Sequence, residues 1–261
     1  MRVLVCVKRV PVTGGRILLT ADGRAVDARF LGFTVSPHEE CGVEEAVRII
    51  EAHGGSSAVL TLGPDAATEQ LRDALAVGIE RAILLETGDA DEWSPVDTAA
   101  AISDAIRAQE AAAGAPFDLV LFGTEAADTG DYQVGIRVAT ALGRPIVSGA
   151  KHIAIEGERL TARREAAGGG WEVYEVALPA VVSVREGINL PRYPSVPGRL
   201  RAKRQPIERM EPRRAASALG SLAMERLRLP VEQERSVEIL GRGPEAAPKV
   251  VEILRRVGAL S

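Results

Sequence analysis

Phe117 to Gly135, FDLVLFGTEAADTGDYQVG, is the stretch on which the reading of the whole chain turns. Leu119 to Phe122, with Asp118 leading in, form an apolar run of the kind that fills a parallel strand buried on both faces. The run enters Gly123, then a loop of acids, hydroxyls and glycine, and then a new helix. In an open α/β sheet this is where a nucleotide sits, because N–H groups at the helix start face a ligand beyond the strand end. Gly123 and Gly130 let backbone approach a ligand closely. Thr124 and Thr129 offer hydroxyls, and Asp128 and Gln133 offer polar side chains near the helix start. A loop of this kind also serves as a plain connection, so the flanking segments have to decide between the two.

With 261 residues, 46% of them apolar, the chain can bury a full core and hold one large domain or one domain plus an appendage. Its net charge of −4 supplies no basic field of the kind that draws a protein to nucleic acid. Cys6 and Cys41, with His38, His53 and His152, lack metal-ligand spacing and suggest no disulfide framework, so no metal is expected and a reducing cytoplasm fits. Val3 to Val7 is too short for a signal core or a membrane span, and no targeting segment or membrane insertion is expected.

Arg2 to Val7 reads as a central strand. An Asp22-Gly23 turn between short apolar runs predicts a hairpin decorating the sheet. Ser36-Pro37-His38-Glu39 announces a helix: Ser36 as N-cap, Pro37 in the first position, Glu39 completing a capping box, and Gly54-Gly55 as the stop. Strands at 57–62 and 82–85 alternate with helices at 65–77 and 95–113, the last capped by Ser94. This alternation implies βαβ crossovers and a largely parallel sheet with helices on both faces. The loops at 8–14, 36–39, 62–65 and 123–134 then converge on one edge. After Pro145, short runs at 153–156, 159–165 and 172–178 read as antiparallel hairpins, and 179–184 as a further buried strand. Residues 185–208 are rich in proline and base, predicting a loop with a short basic helix near Arg199 to Lys203. Glu245 to Val257 predicts a final amphipathic helix.

The expected fold is therefore α/β, a Rossmann-like three-layer sandwich with a mostly parallel sheet, added β-hairpins and an extended C-terminal arm ending in a helix. Residues 1–208 form the nucleotide-binding domain, and 209–261 form an arm that packs on a partner subunit. No nucleophile, base or metal cluster appears in a catalytic arrangement, so no catalytic residue is assigned and any chemistry belongs to a cofactor.

With these pieces placed, the chain resembles the β subunit of electron transfer flavoprotein over most of its length. VLVCVKRV at 3–10, VEEAVR at 43–48 and LGPDAATEQLRDALAVGIERA from Leu62 match the family's successive units. RREAAGGGWEVYEVALPAVVSV, followed by NLPRYPSVPGRLRAKRQPIE, resembles its signature and partner-recognition loop, about 185–204. The resemblance implies a heterodimer with an α subunit that holds most of an FAD. Such a heterodimer carries electrons from flavin dehydrogenases to a quinone reductase or similar acceptor, and AMP sits in the β subunit as a structural ligand. By the same resemblance the nucleotide-contacting positions are Cys6, Ser36, Pro37, His38, Glu39 and Leu62. The strand-end loop adds Gly123, Thr124, Glu125, Ala126, Ala127, Asp128, Thr129, Gly130, Asp131, Tyr132, Gln133 and Val134. Arg164, Glu165 and Val196 fall at partner-recognition positions.

Single residues carry plainer readings too. Cys6 on a buried strand is a core residue whose ligand contact would come from its backbone. His38 is either a first-turn helix residue or a flavin neighbour. The bases at 199–204 are either a solvated face or a surface for an acidic partner. Val134 follows Gln133 where the family commonly has threonine, removing a hydroxyl from the phosphate loop, and relatives with a second FAD in this subunit tend to read Gln-Val-Gly. Ala167 and Leu190 stand where acids are common. Three functions stay open: a single-flavin electron carrier with AMP, a bifurcating or low-potential variant with a second FAD, and a non-redox adenine-nucleotide module.

Overall fold

In a computed structural model, residues 1–12, 14, 17–88, 92–216, 225–230 and 237–260 are described. Strand β1 (Arg2–Cys6) lies at the centre of the sheet, and Val3, Leu4 and Val5 are fully buried. Burial on both faces explains why the segment reads as a continuous apolar run rather than an alternation. A two-residue strand β2 (Val10–Pro11) pairs antiparallel with β3 (Phe33–Thr34). Helix α1 (Pro37–His53) follows, then β4 (Ser56–Gly63), α2 (Thr68–Val77), β5 (Arg81–Glu86) and α3 (Pro95–Ala113). β6 (Leu119–Gly123) leads through the opening loop to α4 (Val134–Leu142) and β7 (Ile146–Ala150). A small antiparallel sheet is made by β8 (His152–Glu156), β9 (Arg159–Glu165) and β10 (Trp171–Ala177). The chain re-enters the main sheet as β11 (Ala180–Val184), forms α5 (Val196–Arg204) and adds β12 (Ile207–Met210).

The main sheet has seven strands in the order β12-β5-β4-β1-β6-β11-β7, and every neighbouring pair is parallel. The Rossmann-like α/β sandwich expected from the alternation is therefore the observed fold. One face buries Val3, Val5 and Val59 against Val43, Val47, Leu71 and Leu75 of α1 and α2, with Ala202 of α5. The other buries Leu4, Leu60 and Ile83 against Ile102 and Ile106 of α3 and Val138 of α4. The crossover from β7 to β11 carries the small sheet in place of a helix, and its Leu160 and Ala162 pack into the first face.

Two strands of the main sheet go beyond the sequence reading. Ile146–Ala150 is a parallel edge strand, although the reading placed no strand between Pro145 and the hairpin run that starts at 153. Ile207–Met210 closes the opposite edge against β5. At Asp22-Gly23 the turn forms, with Gly23 at φ +67°, but the flanking runs meet in a single bridge, Leu19 opposite Val26. That segment has no buried residue among those described and so lacks the apolar burial needed to extend a ladder or decorate the main sheet.

Residues Met1–Glu225 form one compact unit and Arg226–Ser261 a second. The second contains α6 (Ala247–Arg256), whose Val250 and Val251 are exposed. Among the described residues no helix is long and apolar enough to cross a membrane.

Candidate functional site

The chain steps from β1 to β4 and β5 on one side and places β6 on the other, so the order reverses at β1. Crevices at such a reversal, beyond the carboxyl ends of the strands, are the usual ligand sites of open α/β sheets. Here the crevice is a cavity of about 410 Å³ at the ends of β1, β4, β5, β6 and β11. Small-molecule sites span roughly 300–1,000 Å³.

The capping box that starts α1 builds the floor. Glu39 Oε2 accepts the Ser36 N–H at 3.1 Å and Oε1 accepts the Lys8 N–H at 3.0 Å, tying the β1 exit to the α1 start. Burial pushes the Glu39 carboxyl up to about 8, against the pull of those two N–H donors and of Lys8. Gly123 is required beside it, because a Cβ there would lie 2.6 Å from Glu39 Cγ. Ser36 Oγ accepts the Ala127 N–H at 2.9 Å and so clips the 123–134 loop to α1.

That loop is held across the crevice as well. Lys8 Nζ reaches Asp128 at 2.8 Å and Thr129 Oγ1 at 3.3 Å. The Thr124 hydroxyl donates to the Val184 carbonyl at 2.8 Å. His38 Nδ1 accepts the Glu186 N–H at 2.7 Å, which leaves Nε2 to carry the hydrogen toward Glu125 Oε1 at 3.2 Å when the ring is neutral. Gly130 and Tyr132 both take positive φ, +59° and +58°, which turns the backbone into α4. Tyr132 is a non-glycine residue in the left-handed region, a conformation that costs free energy and concentrates at ligand-binding loops.

Of the residues singled out from sequence, Cys6, Glu39, Leu62, Gly123, Thr124, Glu125, Ala126, Thr129, Asp131, Tyr132, Gln133 and Val134 line the cavity. Ser36, Pro37, His38, Ala127, Asp128 and Gly130 are not part of that lining, although Ser36, His38 and Asp128 brace it through the bonds above. Cys6 is buried, and burial, with Glu39 as a lesser cause, holds its thiol protonated far above the ordinary range. Arg164, Glu165 and Val196 lie outside the lining. Arg164 pairs with Glu172 and covers Tyr174, Glu165 sits 3.9 Å from Lys151, and Val196 is 72% exposed at the start of α5. The proline-rich segment before α5 is pinned to α1: Arg192 grips Glu44 and Glu51, and the Asn189 amide donates to Cys41 O and Glu45.

Sequence reasoning missed Thr87, Trp93, Thr98, Ser148 and Ser183, which also line the cavity, and included Lys8 only as part of the converging loop at 8–14 without singling it out. Lys8 carries a signal, a base directly after the first strand. The others reach the cavity only through the placement of the β5 exit, α3 and the segment before it, β7 and β11.

Fold and crevice together define a Rossmann-like α/β protein built around a switch-point cavity. Residues 27–215 match the family model described as the electron transfer flavoprotein domain. An "Electron transfer flavoprotein subunit beta" from Syntrophomonas wolfei is 34% identical over 98% of this chain and 96% of its own length. One from Bacillus subtilis is 33% identical over 85% of each. The "Caffeyl-CoA reductase-Etf complex subunit CarD" of Acetobacterium woodii is 34% identical over 79% of this chain and 77% of its own. The chain belongs to the electron transfer flavoprotein β-subunit family.

Proposed function

We propose that this chain is the β subunit of a heterodimeric electron transfer flavoprotein in the cytoplasm, and that its switch-point cavity holds AMP as a structural ligand. The observation that carries the reading is the unlike character of the two ends of the cavity. At the α4 end, Gln133 gives no side-chain cap, its Oε1 is engaged by Arg137, and the first turn contains no acid. The positive end of α4 is therefore left to an anion such as a phosphate, with the Thr129 hydroxyl, which accepts from Lys8 and keeps its own hydrogen to donate, alongside. At the α3 end, Asp97 already fills the first turn: its N–H donates to Ser94 Oγ at 3.1 Å, and its Oδ1 accepts the Ala215 N–H at 3.0 Å. The wall there is apolar, from Leu62, Trp93 and Ile102, and suits an uncharged base. A molecule with a phosphate at one end and a planar base at the other matches both.

In this reading FAD, held mainly by the α subunit, supplies the redox chemistry. The residues of this chain bind and orient. The loop at 123–134 grips the nucleotide, Ser36 and Lys8 brace that loop, and the 185–204 segment with Val196, together with Arg164 and Glu165, meets flavin dehydrogenases and a quinone reductase in passing. The C-terminal arm, which begins only after β12 has taken Arg209 and Met210 into the main sheet rather than at 209, packs on the α subunit. A second FAD in place of AMP, as in a bifurcating or low-potential carrier, is the alternative that the Gln133-Val134-Gly135 wording favours, because relatives with a second FAD in this subunit tend to read the same.

Copurification with the α subunit, followed by counting FAD and AMP per heterodimer, tests the proposal. One of each is expected. Two FAD with no AMP supports the alternative, and a partner-free, flavin-free chain that binds nucleotide refutes both.

A further inference from the structure

We infer that Asp131 and Tyr132 act as a chain-length stop at the α4 end of the cavity: the site takes a nucleotide that ends at its first phosphate and turns away one that continues into a second. This rests on the reading of the cavity as an adenine-nucleotide site with its phosphate at the α4 start. Both residues line the cavity and directly precede the Gln133 N-cap of α4. Tyr132, at φ +58°, holds a left-handed backbone, and every other positive-φ residue described is a glycine. Packing does not explain the strain, because the ring is 54% exposed and its hydroxyl makes no hydrogen bond among the described residues. The ring folds back along the loop instead, with Cε2 4.0 Å from where a Cβ on Gly130 would lie. Strain kept at a solvent-facing side chain beside a cavity points to the occupant of that cavity. A rigid ring laid along the loop that grips the phosphate covers its outer side and stands in the path of a longer chain.

The charges at this end argue the same way, independently of the ring. Among the described residues the bases that line the cavity are Lys8 and Arg9. Lys8 Nζ is engaged by Asp128 at 2.8 Å and Thr129 Oγ1 at 3.3 Å, and the Arg9 guanidinium lies over the Phe33 ring at 3.3 Å. Arg137, in the first turn of α4, is turned to Gln133 Oε1 at 2.8 Å. The N–H groups at the α4 start serve one phosphate. A second phosphate finds these bases engaged and brings its charge to the wall that carries the Asp131 carboxylate, a like-charge approach that grows more costly as water is excluded.

The test titrates AMP and ADP, which differ by one phosphate, into the nucleotide-free full chain by calorimetry, with EDTA present so that no metal ion masks the second phosphate. Wild type is expected to bind ADP at least about 10-fold more weakly than AMP, and FAD, which continues beyond the same phosphate, should follow ADP. Y132G and Y132N remove the ring with residues that tolerate the left-handed backbone, and each should shrink the ADP-to-AMP ratio about 3- to 10-fold. Y132F should keep the ratio, because the stop is the ring and not the hydroxyl. D131N should shrink it most at low salt, as a screened charge does. A wild type that binds ADP or FAD as tightly as AMP, or a ratio unchanged in Y132G, Y132N and D131N, overturns the inference while leaving the adenine-nucleotide site standing. A chain that binds none of the three overturns the reading of the site as well.

Discussion

Gly123→Ala places the most direct demand on the geometry of the site. An added Cβ meets Glu39 Cγ at 2.6 Å, the Glu39 backbone nitrogen at 3.2 Å and His38 Cβ at 3.2 Å. Glu39 cannot yield by swinging its tip away, because its two oxygens hold the Ser36 and Lys8 N–H groups at 3.1 and 3.0 Å and the side chain is buried. Either the β6 exit and the α1 start separate, an overpacking cost of about 1–3 kcal/mol, or Glu39 leaves and orphans two buried donors at about 1 kcal/mol or more each. The two routes overlap at about 2–3 kcal/mol, a fall in Tm of about 4–12 °C for a unit of this size. Differential scanning calorimetry of wild type, G123A, E39A and the double variant forms a thermodynamic cycle. Because E39A removes the colliding Cγ, Gly123→Ala in that background is expected to cost less than about half as much. A G123A protein melting within about 1 °C of wild type, or strictly additive losses, would refute the account of the close approach.

Three further outcomes follow from the same contacts. Glu39 is pushed up to about 8 when folded, above its ordinary 4.5, so the folded state holds its proton more tightly than the unfolded chain. Its contribution to stability is then full below about pH 4.5 and is lost as pH rises through 8, with a slope of up to about 1.4 kcal/mol per pH unit; urea titrations should show this slope in wild type and a flatter one in E39Q, and equal slopes would count against it. Removing the guanidinium with R192A leaves the buried Glu44 carboxylate unpaired and frees the Glu51 anchor, at about 1–3 kcal/mol after discounting the partly exposed guanidinium; hydrogen exchange should accelerate across 188–195, and unchanged protection there would show that the pair does not hold the segment. Cys6, buried and held protonated, should not react with maleimide in the native state at pH 8 and should react on unfolding, whereas native labelling would contradict its burial.

The parts of the fold legible in the sequence are those fixed by local chemistry. Ser36, Pro37 and Glu39 announce α1 because capping groups act within four residues, and Leu119 to Phe122 announce β6 because a strand buried on both sides must be apolar throughout. β12 was hidden for the opposite reason. Ile207–Met210 is an edge strand, so its outward Glu208 and Arg209 are charged and pair with Arg81, Asp65 and Glu86 from distant segments. β7 is obscured by Ser148 and Gly149, the latter at φ +77°, which break the apolar run. In the site, the 123–134 loop could be read because its glycines and hydroxyls are contiguous. Trp93 could not, since its place in the cavity depends on how α3 docks, and no short-range pattern encodes that.

The pairing of Ile207 with Ala82 has a consequence for how the chain is made. While the ribosome is still translating the small sheet, the recognition segment and α5, the β5 edge has its far neighbour missing and presents open N–H and C=O groups to any passing strand. Such an edge invites mispairing. Stretches of synthesis in which this edge waits for residues 207–210 are therefore the interval in which a chaperone, or slow translation, would matter most to the yield of native protein.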